Sequence, residues 1–373
     1  MNEIPSPLER AAIRNIVKNY LRVKPGENVI VDTWAHTLRM ASTVVDEVRR
    51  AGGRAFLAYE DDDAWWRAVD RGQTKLLGQL SDPYWSALEA ADVYVMFWGP
   101  GDAARIETVP QPRLDETTSW FDRWYQIARS TALRGVRMDI GFVTETRVHH
   151  WGLREKTWMN EFLRGCLADP KEMVRSGRRL ARALAPRTRL RITHPNGTDL
   201  EVAVGRAPAR IYDGSPHPRN KAFGPFDMLA NVPGGELRVA LDARTAEGRI
   251  VATEPSYDLT WYPWQTYRGG SFTFSGGKLT SFHFEQGQAE FAKHYAKATT
   301  GRDRTGVLTI GLNPLAKRLP YADSIGRGSL QLSVGANAYL GGSNQSNFCA
   351  WISAAGSEIS ADGTPIVRAG RIL

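Results

Sequence analysis

Glu236 follows the turn Asn231-Val232-Pro233-Gly234-Gly235 and opens an apolar strand, which places a carboxylate beside backbone that carries no side chains. In such a position a carboxylate can act as a general base or as a metal ligand. His283 and Glu285 stand two apart in a second strand pattern, so they share a face and form a candidate acid/base pair. Trp261, Tyr262, Trp264 and Tyr267 crowd one stretch after Glu254. Their flat faces and polar tips suit either a ligand pocket or the packing of a core and a subunit interface. The small polar loop Gly341-Gly342-Ser343-Asn344-Gln345-Ser346-Asn347-Phe348-Cys349 is either a plain turn or a pocket wall. His149 and His150 are adjacent and point different ways, a poor arrangement for joint metal ligation.

The elements that position these groups fall into two series. Apolar spacing predicts helices over Pro7 to Leu21, Leu38 to Arg50 and around Trp85 to Ala91, alternating with strands at Asn28 to Asp32, Arg54 to Tyr59 and Asp92 to Trp98. Strands alternating with helices imply a parallel sheet. After the first strand the chain reads Trp34-Ala35-His36-Thr37, without the glycines of a phosphate loop, which argues against a nucleotide cofactor there. Near Pro186 the pattern becomes strand after strand: Arg189 to Thr193, Asp199 to Val204, Leu237 to Ala240, Ser271 to Phe274, Lys278 to Phe284, Val307 to Leu312, Leu330 to Val334 and Ala350 to Ser353. One helix, Gln288 to Ala298, interrupts the series. The sequence therefore predicts an α/β domain over 1–186 and a β-rich, mostly antiparallel domain with limited helix over 187–373, the second carrying the presumed active site.

The 373 residues are 42% hydrophobic and 24% charged, an ordinary globular balance that excludes disorder and coiled coil. No apolar run is long enough for a membrane span. Met1 to Arg10 lacks the basic and apolar regions of a signal peptide, so a cytoplasmic protein is expected. The two cysteines, Cys166 and Cys349, fit a reducing compartment. Net charge is +8, but the basic residues are dispersed and no RNA-binding motif accompanies them, which argues against nucleic acid as a partner.

The stretches "VKPGENVIVDT", "EVRRAGGRAF", "ALEAADVYV", "NVPGGEL", "GVLTIGLNP", "ADSIGRGSLQLSVGAN" and "GGSNQSNFCAW", in this order over nearly the whole chain, resemble metallopeptidases of the aminopeptidase T type. The relatives of that family include dihydroxypyridine ring-opening dioxygenases and an aromatic amine aminohydrolase. The resemblance implies a flavodoxin-like N-terminal domain, an active site in the C-terminal domain and a homodimer. It implies two metals held in part by a glutamate at Glu236. The other ligand positions of the family correspond here to Val307, Gln331, Cys349 and Trp351, and its acidic residue before the histidine strand to Ser324 beside Asp323. The window from Gly306 to Trp351 holds neither histidine nor glutamate, and Glu236, Asp323 and Cys349 make a poor ligand set for a divalent ion.

The expected protein is thus an aminopeptidase T-like enzyme with a degenerate metal site and either no cofactor or a single divalent metal. It would act on a small aromatic or amino-acid-like molecule by hydrolysis or ring modification. Its expected catalytic residues are Glu236, His283 and Glu285, and its expected substrate contacts are Trp261, Tyr262, Gln331, Tyr339, Asn344, Cys349 and Trp351. The alternatives are a non-catalytic member that binds a small ligand or peptide or serves as a partner subunit, and an intact metal-dependent aminopeptidase. Dimerisation is expected through the C-terminal domain, with the aromatics from Trp261 to Tyr267 at the interface.

Overall fold

The computed structural model describes residues 5–217, 228–257, 266–316 and 324–373. In chain order its strands are β1 (Asn28–Trp34), β2 (Arg54–Glu60), β3 (Val93–Phe97), β4 (Arg134–Met138), β5 (Arg189–His194), β6 (Thr198–Ala203), β7 (Arg210–Tyr212), β8 (Leu229–Val232), β9 (Glu236–Ala240) and β10 (Glu247–Val251). They continue as β11 (Ser256–Tyr257), β12 (Thr266–Tyr267), β13 (Ser271–Ser275), β14 (Lys278–His283), β15 (Thr305–Gly311), β16 (Leu330–Gly335), β17 (Cys349–Ser353), β18 (Glu358–Ala361), β19 (Thr364–Arg368) and β20 (Arg371–Ile372). Two compact units result, one of Met1–Pro170 with Gly214–Gly234 and one of Lys171–Asp213 with Gly235–Leu373. The chain thus leaves the first unit at Pro170 rather than at 186, because the helix Pro170–Ala183 already belongs with the β-rich part. It then returns for one segment.

The first unit is a parallel sheet in the order β2-β1-β3-β4-β8. Its fifth strand, β8, is supplied by the returning segment. The helix Pro7–Asn15 starts where Ser6 accepts the amide of Glu9 and Pro7 stands in the first turn, where no amide partner is needed. It continues as a wider π-type turn, Ile16–Tyr20. The helix Leu38–Arg50 buries Met40, Ala41, Val44 and Val48 on one face and ends ahead of Gly52, whose φ is +83°. Between sheet and helices Ile30, Trp85, Leu88, Tyr94, Trp124, Leu133 and Leu229 form the core. At its margin the Asp32 carboxylate accepts the hydroxyls of Tyr84, at 3.3 Å, and of Tyr94.

The second unit has an eight-stranded antiparallel sheet, β14-β13-β10-β6-β5-β18-β19-β20, and a five-stranded one, β17-β16-β15-β9-β7. The helix Gln288–Lys297 packs Phe291 against Phe272, Phe282, Phe284 and Phe348. Burying such a ring contributes about 2–3 kcal/mol, which fixes the helix against the sheet. Among the described residues no helix is long and apolar enough to cross a membrane.

Candidate functional site

Glu236 begins β9 immediately after the chain enters the second unit. Gly235 makes the entry possible: its φ is +133°, and a Cβ there would lie 2.5 Å from the Cβ of Asn313. Its amide donates to the carbonyl of Tyr212 and its carbonyl accepts from Leu312, both at 2.8 Å, so the turn is held between β7 and the end of β15.

Strand register then decides what surrounds the carboxylate. Residues directly opposite in an antiparallel pair share a face, as do alternate residues along each strand. Tyr212, Glu236 and Gly311 stand in one row across β7, β9 and β15. Arg210, Arg238, Thr309, Gln331 and Ser353 stand in the next row, across the whole sheet. Beyond it Val307 opposes Ala240, and Trp351 opposes Ser333. Cys349 opposes Gly335 on the same face. Glu236, Val307, Gln331, Cys349 and Trp351 therefore lie on one face of one sheet.

The chemistry of that face is set by an ion pair. The Arg238 guanidinium donates to Oε2 of Glu236 from Nε at 2.7 Å and lies 2.5 Å away through Nη2, while the other oxygen of Glu236 accepts the Ser324 hydroxyl. Among the described residues Arg238 makes its side-chain hydrogen bonds to Glu236 alone. Its guanidinium carbon sits 4.9 Å from the ring centre of Tyr212. Burial works against the Arg238 charge, but Glu236, Tyr339 and Tyr212 outweigh it and hold the guanidinium above its ordinary pKa. Burial, then Cys349, pushes the Tyr339 hydroxyl up as well, although the ring itself is half-exposed. Tyr212, Glu236, Arg238, Tyr339 and Cys349 thus share one electrostatic neighbourhood.

Two further rows flank the pair. Val307, Ala240 and Leu340 form a small buried apolar cluster, with Tyr212 and Trp351 packed against it. In the polar row the hydroxyls of Thr309 and Ser353 are buried and have no hydrogen-bond partner among the described residues. A buried hydroxyl without a partner costs on the order of 1–3 kcal/mol, so these two donors on either side of Gln331 are suited to a polar ligand.

Other expected residues fall elsewhere. Asn344 is spent on tying the loop to its neighbours: its Nδ2 donates to the carbonyls of Gly301 and Gly335 at 2.7 Å, and its backbone amide donates to Oδ1 of Asn337. His283 ends β14, an edge strand of the eight-stranded sheet, and Glu285 lies past that strand's end; both are exposed. They are not part of the face that carries Glu236. Trp261, Tyr262, Trp264 and Asp323 lie outside the described residues. Among the described residues no three His, Cys, Asp or Glu side chains form a group able to hold a metal ion. Arg238 and Tyr212 went unremarked in the sequence, though a charged residue two positions after Glu236 in a strand must share its face. The partners Thr309 and Ser353 carry no such local signal.

The chain combines an α/β unit whose sheet runs β2-β1-β3-β4-β8 with an antiparallel unit, and its fold matches that of aminopeptidase T. Solved structures that match the chain over its length include the following two. Wild-type AmpT from Thermus thermophilus superposes with a TM-score of 0.69 at 16% identity, covering 98% of this chain and 99% of that one. The 2,5-dihydroxypyridine dioxygenase of Pseudomonas putida gives a TM-score of 0.60 at 16% identity, covering 99% and 98%. No family model and no curated protein matches the sequence.

Proposed function

We propose that this chain is a metal-independent member of the aminopeptidase T-like fold that binds a small aromatic or amino-acid-like molecule on the Glu236 face of the five-stranded sheet. The observation that carries the reading is the Glu236–Arg238 pair, its carboxylate buried and its guanidinium partly exposed, beside the Val307 cluster. At two of the positions where the resemblance implies metal ligands, Val307 and Trp351 pack against the same apolar neighbours. Glu236 has one oxygen on Arg238 and the other on Ser324, and a cation brought to that carboxylate would meet the guanidinium. These residues do not fit a di-metal centre or a ring-opening iron centre, both of which need several N, O or S donors around one ion. What they do fit is a ligand whose carboxylate or carbonyl oxygens meet the remaining N–H groups of Arg238 and whose ring lies on Tyr212, Tyr339 or Trp351. Thr309, Gln331 and Ser353 would take its polar substituents.

Protein purified without chelator should hold well under one equivalent of zinc, cobalt, manganese or iron per chain by elemental analysis, and should not hydrolyse amino-acid anilides. Two equivalents of metal together with hydrolysis would overturn the reading. A thermal-shift screen of aromatic amino acids, aromatic carboxylates and aromatic amines should yield ligands whose stabilisation is lost in Arg238→Met. A hit that stabilises the parent and this variant equally would place the site elsewhere.

One observation favours turnover as a second reading. The Ser324 hydroxyl donates to the Glu236 carboxylate, the arrangement of a nucleophile on its base. Labelling by a fluorophosphonate that disappears in Ser324→Ala would establish it, and an unlabelled chain would leave binding alone.

A further inference from the structure

The helix Pro170–Ala183 holds Lys171, Arg175, Arg178, Arg179 and Arg182 against one carboxylate, Glu172. From Lys171 to Arg189 the chain has seven cations and that single acid, so most of the net charge of +8 resides in this short stretch. With about 100° of rotation per residue, the five cations of the helix fall within an arc of about 100°. Met173, Ser176, Gly177 and Leu180 are buried on the opposite side. A Cβ at Gly177 would lie 2.8 Å from Ile211 and 3.0 Å from Leu312, so that side is pressed against β7 and the end of β15. The cations form the outermost ridge of the helix.

Arg175, Arg178, Arg179 and Arg182 are all exposed. Among the described residues none of the four donates a side-chain hydrogen bond or joins an ion pair. Glu172 faces Arg327 instead, at 3.6 Å. Arg175 and Arg182 each stand three and four residues from Arg178 and Arg179, and like charges at those spacings destabilise a helix. An anion laid over the ridge would relieve that repulsion.

The chemistry of the ridge selects among polyanions. A helix that binds a membrane surface sinks its apolar face into the lipid, and here that face is already packed within the fold. An acidic helix would gain mainly solvated ion pairs, each worth little without apolar contact. A polynucleotide gains from the counterions it releases and needs no apolar contact. The ridge has no aromatic side chain on which the bases of a single strand could stack. It has Arg178 and Arg179, about 100° apart around the axis, which reach to opposite sides of the ridge as the two backbones flanking a major groove require.

We propose that the ridge of the helix Pro170–Ala183 binds double-stranded DNA through its phosphates, independently of base sequence. Arg178 and Arg179 contact the two backbones, with Arg175 and Arg182 between them. Across the whole chain the basic residues are dispersed, which argues against nucleic acid, but the fold gathers these on one side of one helix. Phosphate contacts position a protein without reading bases, so no base-reading motif is required.

A labelled duplex of about 20 base pairs, titrated with the full chain at about 50 mM salt, should bind with a dissociation constant on the order of micromolar. The logarithm of the association constant against that of salt should have a slope of about −3.6, from about −0.9 for each of four phosphates neutralised. Arg178→Gln combined with Arg179→Gln should halve that slope and raise the dissociation constant at least about tenfold. Because these side chains make no hydrogen bond or ion pair within the fold, the urea midpoint of this variant should not fall below the parent's. Arg49→Gln combined with Arg71→Gln removes the same charge from exposed positions of the first unit and should leave the slope unchanged. A parent that does not bind the duplex, a helix variant that binds as the parent does, or a first-unit variant that weakens binding equally overturns the proposal. Tighter binding of phosphatidylserine vesicles or of polyglutamate than of the duplex at the same salt also overturns it, and would give the ridge to a membrane or to an acidic protein.

Discussion

Glu236→Gln should destabilise the second unit by about 3 kcal/mol. The substitution keeps size and an acceptor for Ser324 but leaves the Arg238 guanidinium without its counter-ion, and breaking one side of a buried pair costs about 3–5 kcal/mol. The lower end applies because the Arg238 side chain retains 29% of its exposure, against 9% for Glu236, and water takes up part of the charge. Stacking on Tyr212 survives the change. Adding Arg238→Met removes the orphaned charge and places an apolar side chain on the tyrosine, so the double variant should recover at least half of the loss. Urea unfolding of the parent, both single variants and the double variant measures the coupling directly. If Glu236→Gln unfolds at the parental urea concentration, the pair is a solvated contact and the proposed binding face loses its anchor.

Much of the fold was legible because its determinants are local. The helix Leu38–Arg50 matches its expected bounds because the apolar period and Gly52 mark both ends. Strands β5, β6, β15 and β16 fall within a residue or two of expectation, since alternation and turn residues bound them. The return of Gly214–Gly234 to the first unit was not legible, because the place of β8 beside β4 depends on pairing partners far apart in sequence. Composition changes at Pro186, but the helix before it already packs with the second unit.

The site was legible in part for the same reason. Glu236 could be found from the turn before it, and the positions Val307, Gln331, Cys349 and Trp351 from their spacing in the resembling stretches. That all five share a face follows only from the register of four strands. His283 and Glu285 looked like a pair because the strand was expected to run through Phe284. It ends at His283, and the intended partner is past the ladder. Asn344 looked like a pocket residue by composition, yet backbone carbonyls of the segments beside the loop, those of Gly301 and Gly335, must first be satisfied, and that is where its amide goes.

The same logic of buried charge governs the first unit. The carboxylate of Asp32 is enclosed at the end of β1, and burial raises its pKa to about 6 even though the hydroxyls of Tyr94 and Tyr84 pull the other way. Because the folded value lies above the unfolded one, the folded chain holds a proton that the unfolded chain has released. The stability that the protonated Asp32 contributes should therefore be fully present below about pH 4, be lost as pH rises from about 4 to about 6, and stay lost above that. A shift of roughly two units corresponds to about 3 kcal/mol across the window. Asp32→Asn keeps an acceptor for the tyrosines and cannot ionise, so its advantage over the parent should widen by about 1–1.5 kcal/mol between about pH 5 and about pH 8. Glu60, whose pKa is raised by burial and then by Asp32, should relax in the same direction and add to the gain. Chemical denaturation of both chains at the two pH values tests this. Equal stability differences at both would mean that Asp32 ionises as freely in the folded chain as in the unfolded one, with the two tyrosines and water solvating it fully.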